Sequence, residues 1–222
     1  MDTRFQKELE QLKVKVLQMA AYTGRALEQA LAALASRDPG LARKVIEADR
    51  EINAMECEVD NLSLRLLALD QPVAQDLRFV VACMRMVMDL ERIGDEAVNI
   101  AEQALLLSQG QAIPASADLE SLGARVTEMF AMSIRAFQDQ DADAAMEVCA
   151  ADQEADDLNM RVLKECMDAS DVLCGAGGVD RAIRAVMVSR SLERVGDLAT
   201  NIAEGTIFVV KGVSVKHHCQ PI

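Results

Sequence analysis

Residues 90–102 read LERIGDEAVNIAE, and residues 192–204 read LERVGDLATNIAE. The two segments align without a gap at a constant offset of 102 residues, and ten of the thirteen positions are identical. A repeat this close, halfway along a chain of 222 residues, indicates two copies of one structural unit.

The repeated segment carries oxygen-donor side chains at helical spacing. The same four positions bear them in both copies: Glu91, Asp95, Asn99 and Glu102, then Glu193, Asp197, Asn201 and Glu204. At about 100° per helical residue, each set falls within an arc of about 80° on one helix. Oxygen ligands on one helix face can bind a hard or borderline metal ion.

The composition favours helices around an apolar core. Hydrophobic residues make up 51% of the chain, with twelve Met, one Tyr and no Trp, so strand-forming side chains are sparse. Apolar periodicity and the Pro and Gly breaks predict six helices: 4–36, 41–69, 73–108, 116–138, 142–171 and 179–210. The sequence therefore predicts an all-α fold of two tandem antiparallel three-helix bundles, in an N-terminal domain 1–110 and a C-terminal domain 115–222.

Charge and hydropathy limit the partners. A net charge of −13 argues against bulk attraction to nucleic acid or to anionic lipid. No apolar run approaches the roughly 18 residues of a membrane span, which excludes direct membrane insertion, and residues 1–8 lack a signal-peptide stretch. We therefore expect a cytoplasmic protein. In that compartment its six Cys are expected to be reduced thiols, and none of them forms a C-x-x-C pair.

The middle helix of each unit carries a second acidic element. Its members follow helical spacing: Asp49, Asn53, Glu56 and Asp60 in the first unit, and Asp152, Asp156 and Asn159 in the second. The second and third helices of an antiparallel bundle are neighbours. The two acidic stripes of each unit therefore either face one another or lie side by side.

Two interpretations of the stripes stay open. Apolar residues lie roughly opposite the stripe of the third helix, as on any amphipathic helix with a solvated acidic face. Against this, carboxylates four residues apart repel each other, and mid-helix Gly94 and Gly196 each cost about 1 kcal/mol relative to Ala. Retention of both features in two copies favours a ligand. Arg92 and Arg194 could pair with carboxylates on a neighbouring helix or hold an acidic group of a partner, and we expect structural ion pairs.

Two classes of function remain. A di-metal carboxylate enzyme needs Glu-x-x-His motifs inside the bundle, whereas His217 and His218 are the only histidines and lie in the C-terminal tail. A non-catalytic regulator or adaptor with cation-binding faces fits the acidity and the duplication better. A metal-carboxylate enzyme or a metal-storage protein is the alternative.

At these residues the chain resembles the PhoU family of phosphate-transport regulators. The two segments quoted above are similar to that family's repeated motif, as are residues 66–78 (LLALDQPVAQDLR) to its helix-turn-helix junction and residues 207–212 (IFVVKG) to its C-terminal signature. The resemblance implies two three-helix bundles related by pseudo-twofold symmetry. It also implies a cytoplasmic accessory of the phosphate-specific ABC transporter ATPase and of a sensor histidine kinase, which represses the phosphate-starvation response when phosphate is plentiful. Homodimer formation stays open.

The resemblance further implies divalent or trivalent metal ions, such as Fe, Zn, Mn or Mg, on each bundle. The family's Glu/Asp-x-x-x-Asp motif falls on Glu91 with Asp95 and on Glu193 with Asp197. Middle-helix residues are also ligands in some members, and these match by position: Asp49, Asn53, Asp152 and Asp156. Asn99 and Asn201 are added as candidate ligands because they belong to the repeated oxygen-donor stripe. Asp89 is replaced by Ser191 in the second copy, which predicts a weaker second site if Asp89 joins the first.

Overall fold

The computed structural model describes residues 3–108, 116–172 and 178–215. These residues form six helices and no strand: α1 Thr3–Ser36, α2 Pro39–Asp70, α3 Ala74–Ser108, α4 Ala117–Asp139, α5 Ala142–Val172 and α6 Gly178–Lys211. The predicted all-α class is confirmed, and each helix begins and ends within two residues of its predicted bounds. The expected linker 109–114, both histidines, and Cys174 and Cys219 lie outside the described residues.

Helix ends follow from local chemistry. The Asp38 carboxylate accepts hydrogen bonds of 2.8 and 3.2 Å from two backbone N–H groups in the first turn of α2. The Ser116 hydroxyl accepts one of 3.0 Å in the first turn of α4. Gln71 and Gln140 end α2 and α4 in the left-handed region, at φ 46° and 52°. These caps satisfy backbone groups that have no partner inside a helix.

The helices pack as two antiparallel bundles with equivalent internal contacts. Within α1–α3 and within α4–α6, each helix packs against the other two. The bundles join through α3 against α6 and through α1 against α4, so each interface helix meets its own counterpart. This pattern is that of a pseudo-twofold axis, and one apolar core is continuous through all six helices.

Packing accounts for Gly94, which the sequence pattern had associated with a ligand. A Cβ at this position would lie 3.2 Å from Ile52 Cδ1 and 3.5 Å from Asp49 Oδ1, so the missing side chain lets α2 and α3 approach closely. A Cβ at Gly196 would meet its nearest neighbour, Val126 Cγ1, at an ordinary 3.5 Å. The glycine argument for a ligand was therefore wrong for the first copy.

The described helices can also be compared with the length and hydropathy of a membrane span. Within the described ranges, no helix combines the length and the apolar character that crossing a membrane requires.

Candidate metal centres

The acidic stripes of α2 and α3 meet at the surface of the first bundle, where they form the N-terminal acidic face of Asp49, Asn53, Glu91 and Asp95. The Asn53 amide nitrogen donates a 2.9 Å hydrogen bond to Asp49 Oδ2, while the buried Asp49 Oδ1 has no hydrogen-bond partner. Glu56 of α2 joins the same cluster, because its charge acts on Glu91. The stripes of α2 and α3 therefore lie side by side on one face of the bundle.

Crowding makes these carboxyl groups harder to ionise. Burial raises the pKa of Glu91, and the charges of Asp95, Glu56 and Asp49 raise it further. The pKa of Asp95 is raised first by burial and then by Asp49 and Glu96. A bound cation would relieve this repulsion, since an opposite charge favours the ionised form.

The C-terminal acidic face consists of Asp152 and Asp156 of α5 and Glu193 and Asp197 of α6. The pKa of Asp197 is raised to about 6, first by burial and then by the charges of Glu193, Asp152 and Asp156. The Thr200 hydroxyl donates a 3.2 Å hydrogen bond to Asp152 Oδ1, which opposes the rise in the pKa of Asp152 that burial causes. Asp152, Asp156 and Asp197 line a surface cavity of about 600 Å³.

When Glu56 is counted with the N-terminal acidic face, each face has four carboxylates, at positions that differ in part. Asn53 stands where the second copy has Asp156, and Asn159 stands where the first has Glu56. Asn159 is buried, and its Oδ1 accepts a 2.6 Å hydrogen bond from the Ser189 hydroxyl. Its role is therefore structural, joining α5 to α6.

Asp89 does not belong to the N-terminal acidic face. It lines a cleft between the two bundles and does not contribute to the raised pKa values of Glu91 and Asp95. The condition on which a weaker second site was predicted, that Asp89 joins the first site, is therefore not met by this arrangement, and the relative strength of the two sites stays untested.

The remaining predicted ligands lie at the margins. Asn99 donates a 3.0 Å hydrogen bond from its amide nitrogen to Glu96 Oε2, and Asn201 borders both the C-terminal acidic face and the cleft between the bundles. Their part in metal binding stays a prediction.

The donor chemistry of both faces fits a hard cation, because carboxylate and amide oxygens dominate and Asp49 Oδ1 is buried without a partner. The side-chain arrangement is not convergent. In the part of the chain that the structure describes, no group of three or more His, Cys, Asp or Glu side chains is arranged to hold a metal ion. Coordination would therefore require side chains on each face to rotate toward a common point.

One buried charged residue that the sequence analysis did not single out is Glu96. It is 7% exposed, and its Oε1 accepts a 2.9 Å ion-paired hydrogen bond from Arg194 Nη1 across the α3–α6 interface. The expected structural ion pair is therefore confirmed for Arg194, whereas Arg92 forms none within the described ranges. The signal was present in the sequence, since position 96 is one of the three at which the repeats differ, with Leu198 as its counterpart.

Comparison with known proteins agrees with the division into two repeated bundles. A PhoU domain family model matches residues 16–104 and again residues 119–206. The chain belongs to the PhoU family. Each match covers one bundle, so a PhoU domain here is one set of three helices with one acidic face.

Relatives and solved structures match almost end to end. The phosphate-specific transport system accessory protein PhoU homolog of Pseudomonas putida is 35% identical over 215 residues, which cover 96% of this chain and 83% of that protein. The accessory protein PhoU of Escherichia coli K12 is 32% identical over 214 residues, covering 96% and 88%. The crystal structure of PhoU from Pseudomonas aeruginosa has a TM-score of 0.89 at 35% identity, covering 94% of this chain and 99% of that one.

A more distant structure has the same fold. The phosphate transport system regulatory protein PhoU from Streptococcus pneumoniae has a TM-score of 0.87 at 29% identity, covering 96% of this chain and 99% of that one. These relatives are named accessory or regulatory proteins, which agrees with the predicted non-catalytic class and confirms the predicted family.

Proposed function

We propose that this protein is a non-catalytic accessory of phosphate-specific transport, which acts in the cytoplasm by contact with other proteins. The observation that carries the proposal is the PhoU domain match in both halves of the chain, together with relatives that are named for that transport system. In this role it contacts the ATPase of the phosphate ABC transporter and a sensor histidine kinase. It represses the phosphate-starvation response when phosphate is plentiful.

The cation is the second part of the proposal. Each acidic face binds a divalent or trivalent ion, with Fe, Zn, Mn and Mg as candidates, because oxygen-only sites select weakly among metals. The raised pKa of Asp197, about 6, supports a site whose charge is incompletely compensated by the protein. Bound ions would neutralise part of the net charge of −13 and so change which partner surface is attracted.

Deletion of the gene tests the regulatory role. Loss of a repressor should leave alkaline phosphatase expressed at high phosphate, and the full chain supplied in trans should restore repression. Normal repression in the deletion strain would contradict the regulatory role. The adaptor role is tested separately by pull-down of the transporter ATPase and of the kinase's cytoplasmic domain, and it fails if neither is retained.

Elemental analysis of the full chain, purified without chelator or affinity tag, tests the metal. Metal above background is expected in the wild type. It should fall by about half in either double variant, Glu91→Gln/Asp95→Asn or Glu193→Gln/Asp197→Asn.

A matched control removes the same charge elsewhere. Glu47 and Glu51 are exposed and four residues apart on α2, on the side away from Asp49. Glu47→Gln/Glu51→Gln should retain the wild-type metal content. Equal losses in the control and in the acidic-face variants would show unspecific electrostatic binding, and no metal in the wild type would exclude the sites.

The proposal leaves two oligomeric states, a monomer and a homodimer. Sedimentation velocity on the wild type, with and without added metal, distinguishes a monomer from a dimer.

A further inference from the structure

The interface between the bundles has one side filled by polar contacts. Helices α3 and α6 cross it in antiparallel directions. Arg184 Nη1 donates to Gln103 Oε1 at 3.2 Å, and Arg194 Nη1 donates to Glu96 Oε1 at 2.9 Å. These two long pairs close that side of the interface.

The repeat assigns each of these contacts a counterpart on the other side of the pseudo-twofold axis, 102 residues away along the chain. The counterpart of Arg184 with Gln103 is Ala82 with Gly205. Both are small, and a Cβ at Gly205 would meet no atom within 4 Å. Both line a cleft of about 520 Å³ between the bundles. The cleft is therefore the space that a long polar pair occupies on the opposite side.

The second counterpart leaves an arginine without an ion pair across the interface, although its charge acts on the neighbouring Glu91 of the same helix. The equivalent of Arg194 with Glu96 is Arg92 with Leu198, an apolar residue. Arg92 is exposed, lines the cleft and forms no ion pair within the described ranges. The identical arginine in the other copy is neutralised by a buried carboxylate, so the two sides differ by one missing oxyanion.

The cleft also offers a second arginine and an apolar wall. Arg85, two turns before Arg92 on the same face of α3, has its guanidinium carbon 5.9 Å from the centre of the Phe208 ring. Phe137 lines the cleft with Phe208, and Asn201 adds an amide. The acids Asp89 and Glu204 also border the cleft, and both already have interaction partners.

We propose that this cleft binds a small organic anion with an apolar body. Its carboxylate or phosphate head group binds Arg92 in the way that the Glu96 carboxylate binds Arg194. Arg85 contributes a second positive charge. The apolar body lies against Phe137 and Phe208. The cleft volume is within the range of sites for small molecules, roughly 300–1,000 Å³. The cleft adjoins the C-terminal acidic face, since Asn201 and Glu204 line both cavities, but it contains none of the carboxylates of either acidic face. The proposal does not depend on the transport role.

Isothermal titration calorimetry on the full chain tests the proposal with three probes. Phenyl phosphate and phenylacetate share an apolar ring and differ in the head group, while inorganic phosphate has the head group alone. Saturable binding of one molecule per chain is expected for at least one ring-bearing probe, with inorganic phosphate at least tenfold weaker. Equal binding of all three probes would overturn the apolar part of the proposal, and no saturable binding of any would overturn it entirely.

Arginine variants locate the site. Arg92→Gln and Arg85→Gln should each weaken the best probe by roughly tenfold or more, which is the usual effect of losing a charge-assisted hydrogen bond. Arg43 is an exposed arginine on α2 outside the cleft, and Arg43→Gln should leave binding unchanged. Binding that is insensitive to both cleft variants would overturn the assignment.

The repeat supplies a variant that should close the site. Leu198→Glu gives Arg92 the internal carboxylate that Glu96 already provides to Arg194, so an ion pair should replace the ligand. We expect at least a tenfold loss of probe affinity with an unchanged helical circular dichroism spectrum. If this variant folds and binds as the wild type does, the symmetry argument is wrong. If it does not fold, the Arg92→Gln result decides.

Discussion

Removing Arg194 should destabilise the protein far more than removing its partner Glu96. The Glu96 side chain is 9% exposed and the Arg194 side chain is 66% exposed. Arg194→Gln leaves a buried carboxylate with one neutral donor, the Asn99 amide at 3.0 Å. Breaking a fully buried pair costs about 3–5 kcal/mol, and a hydrogen bond to a charged group contributes about 1.5–3 kcal/mol. Since water reaches Arg194, the lower range applies, and we expect about 2 kcal/mol.

Glu96→Leu should be nearly neutral, because it reproduces the residue that stands at the equivalent position of the second copy. Leu198 is 8% exposed there, and the released arginine can be hydrated where it is. We expect a change within about 1 kcal/mol, since replacing a buried charge by an apolar side chain is often neutral. The double variant Glu96→Leu/Arg194→Gln should recover most of the loss caused by Arg194→Gln.

Urea denaturation followed by circular dichroism, in chelator, measures these differences as midpoint shifts at constant m-value. A loss of about 2 kcal/mol corresponds to roughly 4–8 °C in Tm for a domain of this size. The reasoning is refuted if Glu96→Leu costs as much as Arg194→Gln, or if the double variant shows no recovery.

Three further predictions concern local energetics. Gly196→Ala should raise the free energy of unfolding by up to about 1 kcal/mol. Gly94→Ala should gain less or lose stability, because its Cβ would lie 3.2 Å from Ile52 Cδ1. Thermal melts of the two variants measure the difference. Asp197→Asn in chelator should raise Tm at pH 7. The pKa of Asp197 is about 6 in the folded state and near 3.8 in the unfolded state. The wild type is therefore destabilised above pH 6, and this penalty fades as the pH falls toward 4. Equal gains in Tm at pH 7 and at pH 4 would contradict this. Asp38→Ala should cost about 1 kcal/mol in urea melts through loss of the α2 cap, and no change would show that the cap is dispensable.

The site could be predicted in part. Helical spacing placed Glu91 and Asp95 on one stripe, and the antiparallel bundle brought that stripe beside Asp49. Spacing on one helix says nothing about side-chain rotamers, so it could not show that the carboxylates fail to converge. It also left open whether Asp89 joins the site, because only the packing of the second bundle shows that Asp89 lines the cleft.

The sequence by itself determined the helices, the duplication and the family, because Pro, Gly and capping residues act locally and the repeat is visible along the chain. Only the tertiary structure decided the fate of Arg92 and Arg194, which lie in nearly identical segments. The residue that faces each arginine, Leu198 or Glu96, is about 100 residues away on another helix, and the antiparallel crossing of α3 and α6 selects which side chains meet. Charge neutralisation across that interface is a long-range contact, so one arginine is paired with a buried acid and the other opens into a cleft.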